Sequence, residues 1–358
     1  MSINNYIKSI VEAGIKAPSG DNKQPWSCIF EHDKLEFYHV PNKDKSLYNF
    51  NDYGSFFAHG AFLENISIAS KHYGFDANIL LFSESDNENH VATITFSPVL
   101  EKNEENDLLF DSISQRSSNR KPYNGKSPDE EKINYYKNLV SQYANCELIV
   151  INNKKNISIL SKAFSLNERM MLENSYIHDV LFETIQWTEE QENINKMGMY
   201  IKTLELNPIQ EKMFTLFNKR KILNIFLKFG IGKLIPLSSS SLYRTSGAIC
   251  AITIPEDSKL NFINAGRSFE RLWLTLILDG LSLQPTAGTT YLGKMISHNI
   301  TNHLNDNEIK LITNDYGIIN NIFGVKSRLI ALPFRIGKGK NPSAKSKRLQ
   351  VDQILTIK

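Results

Sequence analysis

Residues 17–26 read Ala-Pro-Ser-Gly-Asp-Asn-Lys-Gln-Pro-Trp and separate two regular segments. Before them, apolar residues recur with helical spacing and predict one amphipathic helix, which should end near Gly14 or just before Pro18. Ser19, Asn22 and Gln24 then offer polar groups, and Gly20 lets the backbone approach a ligand closely. Turns of this composition are common, so a plain helix-to-strand loop with Trp26 in the core is the simpler alternative.

A second polar stretch, Arg116-Ser117-Ser118-Asn119-Arg120-Lys121-Pro122-Tyr123, follows about a hundred residues later. Guanidinium groups form bidentate, charge-assisted hydrogen bonds with phosphate, and serine hydroxyls complete such a site. Arg116, Ser118 and Arg120 therefore suit an anion with several oxygens. A solvated polar loop is the alternative if this motif is taken alone.

Together the two stretches resemble the flavin-dependent nitroreductase family. That family carries an Arg-x-Ser-x-Arg-type motif for the FMN phosphate and ribityl chain, and a Pro-Ser-x-x-Asn-x-Gln-Pro-Trp-type loop. In ordinary members the Arg motif comes first, and a dimer builds each site from both chains. Here the order is inverted, since Pro18 and Ser19 precede Arg116.

An internal repeat explains the inversion. Gly60, Glu64 and Gly74 match Gly266, Glu270 and Gly280 in two segments that share an apolar helical frame. Two unrelated amphipathic helices are the alternative interpretation of this match. We therefore expect an α+β, nitroreductase-like fold in which two pseudo-repeated halves of one chain mimic the family's homodimer. The first half would span residues 1–105 and supply the Pro-Ser loop. The second would span residues 106–358 and supply the Arg motif, with a lid-like insertion at 165–245.

Two further segments match family positions. The resemblance implies that a turn near the flavin ring comprises Pro285, Thr286, Ala287 and Gly288, with a backbone N–H near flavin N5. It also implies that Arg348, and with less support Lys347, bind the phosphate. Arg120 would approach the pyrimidine edge of the flavin. The alternative for the tail is a solvated basic end. The motifs of a single site survive, so we expect one FMN per chain and NAD(P)H as the co-substrate.

Composition narrows the class of protein further. The chain has 358 residues, 41% of them hydrophobic, and a formal net charge of +3, which does not favour a nucleic-acid binder. Its three cysteines lie in apolar surroundings and favour reduced thiols in a cytoplasmic protein. No signal peptide or apolar run of membrane-spanning length is apparent. The eight histidines show no metal-ligand spacing, so no metal site is expected.

The remaining periodicity predicts the order of elements. The segment 156–187 has helical periodicity, and 188–240 fits no strand pattern. Within the latter, the apolar and basic stretch 214–237 favours packing over the other half, and resting on a membrane surface is the less favoured alternative. The other expected elements are a hairpin at 27–32 and 35–40, helices at 55–73, 128–143, 265–279 and 306–322, strands at 78–82, 91–96, 146–151, 248–254 and 328–335, and a linker at 98–107.

Two functions fit these patterns. The first is an oxidoreductase that passes a hydride from NAD(P)H through FMN to a nitroaromatic, a quinone or a similar small acceptor. The second is a protein that sequesters or stores flavin beneath a lid that blocks turnover. No protein nucleophile or acid–base pair stands out, as expected where the cofactor carries the chemistry. A fused dimer is also compatible with a monomer in solution.

Overall fold

The α+β class is confirmed by a computed structural model that describes residues 2–84, 86–99 and 104–358. Helices and mainly antiparallel strands alternate along the chain. The elements up to residue 115 are α1 (Ile7–Ile15), β1 (Trp26–Glu31), β2 (Lys34–His39), α2 (Tyr53–His72), β3 (Phe75–Leu81), β4 (His90–Pro98) and α3 (Glu104–Gln115).

The later elements include a long helical insertion between two strands of one sheet. They are α4 (Glu130–Ser141), β5 (Glu147–Ile151), α5 (Lys154–Phe164), α6 (Leu166–Glu173), α7 (Ser175–Thr184), β6 (Ile185–Gln186), α8 (Glu189–Asn195), β7 (Met199–Tyr200), α9 (Pro208–Phe217), α10 (Arg220–Lys228), α11 (Ile231–Tyr243), β8 (Ala248–Ile254), α12 (Lys259–Leu278), β9 (Ser282–Pro285), α13 (Gly288–Ser297), α14 (Asp306–Phe323), β10 (Leu329–Gly337) and β11 (Leu355–Ile357).

The two main sheets have the same strand order, because β5, β8, β9 and β10 take the places of β1, β2, β3 and β4. The first runs β11-β1-β2-β4-β3 and the second β5-β8-β10-β9. Apart from β11, the neighbouring strands of both sheets pair antiparallel, and α2 and α12 occupy equivalent places after β2 and β8. The C-terminal β11 pairs parallel with β1, so the end of the chain returns to the sheet at its beginning.

Helices α2 and α12 cross with their backbones in direct contact. A Cβ added at Gly60 would lie 2.0 Å from the carbonyl oxygen of Ile263, and one added at Gly266 would lie 1.9 Å from that of Phe57. The two contacts are reciprocal, because each glycine meets a carbonyl of the opposite helix. Only glycine permits this approach at either position, which explains the matching glycines in the sequence.

Three sequence expectations need correction. The periodic segment 156–187 is broken into α5, α6 and α7, because Ser165 and Asn174 begin new helices. The segment 188–240 contains the short strand β7, which pairs parallel with β6. The expected linker at 98–107 ends early, since α3 begins at Glu104, while residues 100–103 of that linker lie outside the described residues.

Residues 214–237 do not pack over the first half as expected, although earlier parts of the insertion do contact it. Helix α11 packs against α5 and α6, while α10 packs mainly against α9 and α11. In the described part of the chain, no single helix combines the length and apolar character needed to cross a membrane. Helices α10 and α11 meet that criterion only as a pair, and an 88° bend separates them.

Replacing either crossing glycine should destabilise the whole molecule. We expect Gly60→Ala and Gly266→Ala each to lower the free energy of unfolding by about 2–4 kcal/mol, because the backbones must separate to admit the methyl group. Urea unfolding followed by circular dichroism measures the change.

Gly317→Ala is the matched control. Gly317 lies inside α14, and a Cβ there would have no neighbour within 4 Å. That variant should gain up to about 1 kcal/mol from helix propensity. Equal stability of the Gly60, Gly266 and Gly317 variants would contradict the importance of the crossing.

Candidate functional site

The Pro-Ser loop has a constrained backbone. Asp21, Asn22 and Gln24 adopt φ values of 45°, 56° and 51°, in the left-handed region that side chains other than glycine visit rarely. The Ser19 hydroxyl accepts a hydrogen bond of 3.0 Å from the Gln24 amide and holds this turn closed. Trp26 is buried against Phe62 and anchors the start of β1 in the core, as the simpler interpretation of this loop expected.

Side chains of the loop bind two distant segments. The buried Gln24 donates from Nε2 to the carbonyl of Lys196, at 2.7 Å, and accepts from the amide of Leu349, at 2.9 Å. Asn22 donates to the carbonyl of Lys347 at 3.0 Å. The loop therefore joins the C-terminal tail and the insertion, and Pro18 and Gly20 lie at its more exposed edge.

Arg116 connects the Arg motif to the same loop. Its Nη2 donates a 2.6 Å hydrogen bond to the carbonyl of Lys16, just before the loop, and its Nε lies 3.3 Å from a carboxylate oxygen of Glu270 on α12. The guanidinium also stacks over Trp273, 4.6 Å from the ring centroid. A predicted phosphate ligand thus contributes to the scaffold as well. Ser118 is half-buried on this segment.

Three cations converge beside this loop. Burial, followed by the charge of Arg116, lowers the pKa of Arg348 to about 9. The same two causes lower the pKa of Lys345, whose ammonium donates to the carbonyls of Ser114 and Gln115. The Nε of Arg348 is buried without a hydrogen-bond partner. Lys345 and Lys347 are both exposed, but the side chain of Lys347 donates to Asn193, so its main chain rather than its ammonium faces the loop.

Two carboxyl groups, Glu270 and Glu192, oppose the lowering of the pKa of Arg348 and so offset this charge in part. Burial raises the pKa of Glu270 to about 7, although the neighbouring Arg116 opposes the shift. Near neutral pH this group is therefore only partly ionised. The buried Arg116, the half-buried Arg348 and the exposed Lys345 together bring three positive charges close to one another, which an anion would stabilise.

Arg120 lies on the opposite side of the loop, against the insertion. It donates a hydrogen bond to the carbonyl of Thr203 at 3.0 Å. Burial and then the charge of Asp44 raise the pKa of Asp21 to about 6, although the charge of Arg120 opposes this shift. The cation and the carboxyl group thus lie close enough to interact at the edge of the insertion.

The turn at residues 285–288 is tied to the Arg motif through its preceding strand. The amide of Asn119 donates to the carbonyl of Leu283 at 2.9 Å, and the amide of Thr286 donates to the carbonyl of Pro333 at 2.9 Å. The Thr286 hydroxyl is buried without a partner. Pro285, Ala287 and Gly288 complete a turn that leads directly into α13.

Sequence analysis missed three buried groups around this turn. Arg335 is fully buried, lies 3.9 Å above the ring centroid of Tyr123, and leaves its Nη1 without a partner. The hydroxyl of Tyr243 donates to Glu168 at 2.6 Å, while the second carboxylate oxygen of Glu168 has no partner. A cation inside the apolar strand β10 was the one available signal. Glu168 and Tyr243 gave no signal in the sequence, because they lie in α6 and α11, which come together only in the folded protein.

A separate group of possible metal ligands lies on the first sheet. One ligand atom from each of Glu36, Glu84 and His90 lies within 4.8 Å of the others, in the described part of the chain. His90 already binds Glu36 at 2.9 Å, and Glu84 is exposed. The absence of a metal site stays a prediction.

Comparison with known proteins gives a partial match. No family model matches the chain. Over 186 residues, 51% of this chain, it is 28% identical to "Putative NAD(P)H nitroreductase acg" of Mycobacterium tuberculosis, and the match covers 54% of that protein. The chain is similar to a nitroreductase. It spans about half the length of the curated relatives it matches first.

Solved structures of low sequence identity also match. The FMN-dependent nitroreductase NfnB from Mycobacterium smegmatis, in complex with NADPH, is 11% identical with a TM-score of 0.40, and the match covers 69% of this chain and 96% of that chain. A BluB-like flavoprotein from Clostridium difficile is 11% identical with a TM-score of 0.40, over 69% of this chain and 97% of that chain.

The buried Glu168 should make stability depend on pH. Burial raises its pKa from 4.5 to about 7, although the Tyr243 hydrogen bond opposes the shift. As pH rises from about 4.5 to about 7, the unfolded chain therefore loses this proton before the folded protein does, and stability falls. Glu168→Gln keeps a hydrogen-bond acceptor for Tyr243 and should remove the contribution of Glu168 to this fall in stability. Urea unfolding across that pH range measures it, and parallel profiles for wild type and variant would contradict the assignment.

Proposed function

We propose that this protein is an FMN-binding oxidoreductase of the nitroreductase type, which transfers a hydride from NAD(P)H to a small acceptor. The observation that carries the proposal is the convergence of Arg116, Lys345 and Arg348 beside the Pro-Ser loop. These cations come from two distant segments of the chain. Neighbouring cations with few charge partners favour the binding of an anion, and the FMN phosphate is a dianion of suitable chemistry.

The hydrogen-bond donors around Arg348 and Arg116 fit a phosphate. Among the residues that the structure describes, the Nε of Arg348 has no hydrogen-bond partner, and its Nη1 donates to carbonyls of its own loop, at Ser346 and Lys347. Glu270 is the carboxyl group that a phosphate would replace as a partner of Arg116, and its raised pKa makes that exchange easier. A proton on Glu270 removes the negative charge that would otherwise repel the phosphate.

Buried polar groups in and near the turn at residues 285–288 fit the polar edge of a flavin. Arg335 Nη1, Thr286 Oγ1 and Thr290 Oγ1 are buried without hydrogen-bond partners. Each such buried atom lowers the free energy of unfolding by about 1–3 kcal/mol if it stays without a hydrogen bond. The carbonyl oxygens and ring nitrogens of a flavin offer partners to hydroxyls and guanidinium groups of this kind.

Bound FMN would supply the hydride chemistry, and the protein would supply position and charge. Arg120, near the loop, would face the part of the ring that gains negative charge and stabilise it. Burial raises the pKa of Glu168 to about 7, so this group is partly protonated near neutral pH beside Tyr243, and the pair could deliver a proton to the reaction. The acceptor would be a nitroaromatic, a quinone or a similar small molecule.

We further propose that the chain is a fused pseudo-dimer, divided at residues 105 and 106, with one FMN per chain. Support comes from the matching strand orders and from the reciprocal contacts of Gly60 and Gly266. The equivalent carboxylates differ, which favours a single site. Glu64 binds Arg267 and Arg271 at 3.2 and 2.6 Å, whereas Glu270 faces Arg116 at 3.3 Å.

Flavin sequestration is the second candidate function, and contacts of the insertion favour it. Main-chain carbonyls of Lys196 and Thr203 accept hydrogen bonds from Gln24 and Arg120, two of the predicted flavin ligands. The insertion thus lies directly against the predicted site. A lid fixed in that position would keep a nicotinamide from the ring while retaining the flavin.

Arg348→Ala should weaken FMN binding by about 1.5–3 kcal/mol, the scale of a hydrogen bond to a charged group. Titration of the apoprotein with FMN, followed by quenching of flavin fluorescence, gives the dissociation constant. Arg348 is a cleaner target than Arg116, whose removal also breaks the contacts with Lys16 and Glu270.

Arg267→Ala is the matched control, because it removes a guanidinium bound to the scaffold carboxylate Glu64. Its affinity for FMN should stay at the wild-type value. Unchanged affinity in the Arg348 variant would show that the phosphate site lies elsewhere.

Anaerobic absorbance spectra separate the two candidate functions. If the protein is a reductase, its flavin absorbance should bleach within seconds to minutes of adding NADH or NADPH. If it sequesters flavin, dithionite should bleach the sample while both nicotinamides leave it yellow. A colourless protein that binds no added FMN would reject both functions.

A further inference from the structure

The outer surface of the insertion exposes an unusual number of large apolar side chains. Among the described residues, seven of the fifteen exposed large hydrophobic side chains lie between positions 209 and 237. Phe229, at the bend between α10 and α11, is 82% exposed, and Ile209 is 72% exposed. The other five are Leu216, Ile225, Phe226, Leu234 and Leu237. Concentrations of this kind mark interaction surfaces rather than ordinary solvent-facing residues.

The same segment is strongly basic. Residues 208–240 contain five lysines, one arginine and one glutamate, a net charge of +5, whereas the whole chain carries +3. The rest of the molecule is therefore slightly acidic. All five lysines are exposed, and none of their ammonium groups has an ion-pair partner among the described residues; they are Lys212, Lys219, Lys221, Lys228 and Lys233.

Apolar and basic residues share the outward face. Along α10, Lys221 and Ile225 have four-residue spacing, and Phe229 at the C-cap of the helix continues that spacing, which places the three on one side. In α11, Lys233 and Leu237 have the same spacing. Lysines beside apolar residues can extend their ammonium groups to an anionic plane while their methylene stems cover apolar surface.

The opposite face anchors these helices to the insertion. Leu223 is fully buried in a cluster with Leu172 and Phe182. Arg220 donates to the carbonyls of Leu172 and Glu173, at 2.7 and 2.8 Å, and so is not part of the free cationic face. The two helices therefore form a fixed platform rather than a detachable arm.

We propose that this face, Ile209–Leu237, docks on an anionic lipid surface, with Phe229 and its apolar neighbours at the level of the headgroups. The charge favours this occupant, since exposed lysines alternate with apolar residues as in helices that lie in a membrane interface. A second copy of the same face would bring two sets of five lysines together, which disfavours self-association through it. The proposal does not depend on the oxidoreductase function.

The test is sedimentation with vesicles. Wild-type protein should sediment with vesicles of phosphatidylcholine plus phosphatidylserine and stay in solution with phosphatidylcholine alone. Phe229→Glu should abolish sedimentation. Replacing Lys221, Lys228 and Lys233 together by Gln should lower partitioning on the order of 100-fold, because each lysine near such a surface contributes about 1 kcal/mol.

Matched controls lie on other parts of the surface. Leu80→Glu changes an apolar side chain that is 63% exposed on β3, and a triple change of Lys34, Lys137 and Lys310 to Gln removes equal charge from exposed sites. Both should sediment as wild type does. Equal loss in the control and test variants would overturn the proposal, as would sedimentation with neither vesicle. A wild-type dimer in light scattering that Phe229→Glu converts to a monomer would assign the face to self-association instead.

Discussion

The backbone contact between α2 and α12 is the constraint on which the rest of the structure depends. Gly60 and Gly266 each meet a carbonyl of the opposite helix, so the two backbones pack with no side chain between them at these positions. Both sheets contribute residues to one large core that includes residues from both helices, among them Phe62 and Phe269. Because the contact is reciprocal, it constrains how the two helices, and the sheets packed on them, lie against each other.

Charge distinguishes the two sides of this crossing. Burial alone would raise the pKa of Glu64, but Arg271 and Arg267 together lower it, and Tyr143 donates a further hydrogen bond. The matching Glu270 has one close cation, and burial dominates there, so its pKa rises to about 7. The charge of Glu64 is therefore neutralised by the arginines of α12. The side of Glu270 leaves guanidinium and ammonium groups available beside the Pro-Ser loop.

The insertion adds a second level of organisation. Its inner edge supplies carbonyls to Gln24 and Arg120, and the buried pair Glu168 and Tyr243 connects its helices. Its outer helices are bound to the insertion through Leu223 and Arg220, and their opposite face carries exposed lysines and apolar residues. One inserted segment thus contacts the candidate site on one side and presents a basic, apolar surface on the other.

Local patterns in the sequence determined much of this protein. The periods of apolar residues predicted α2, α12 and most strands of both sheets, because a helix or strand must bury one face. The matched glycines and glutamates of the two helices predicted that they are equivalent. The loop at residues 18–24 and the motif at 116–120 were both recognisable from residue types that suit anions and close backbone approach.

Only the tertiary structure decided what those residues contact. Arg116 is shared with Glu270, the side chain of Lys347 turns towards Asn193, and the insertion reaches Gln24 across more than 170 positions of sequence. Arg335, Glu168 and Tyr243 lie at the candidate site although no sequence motif marks them. Their pKa shifts and missing hydrogen-bond partners arise from burial, and burial depends on which distant segments pack together. Local sequence patterns specify the faces of elements, whereas desolvation and pairing of charges are properties of the assembled fold.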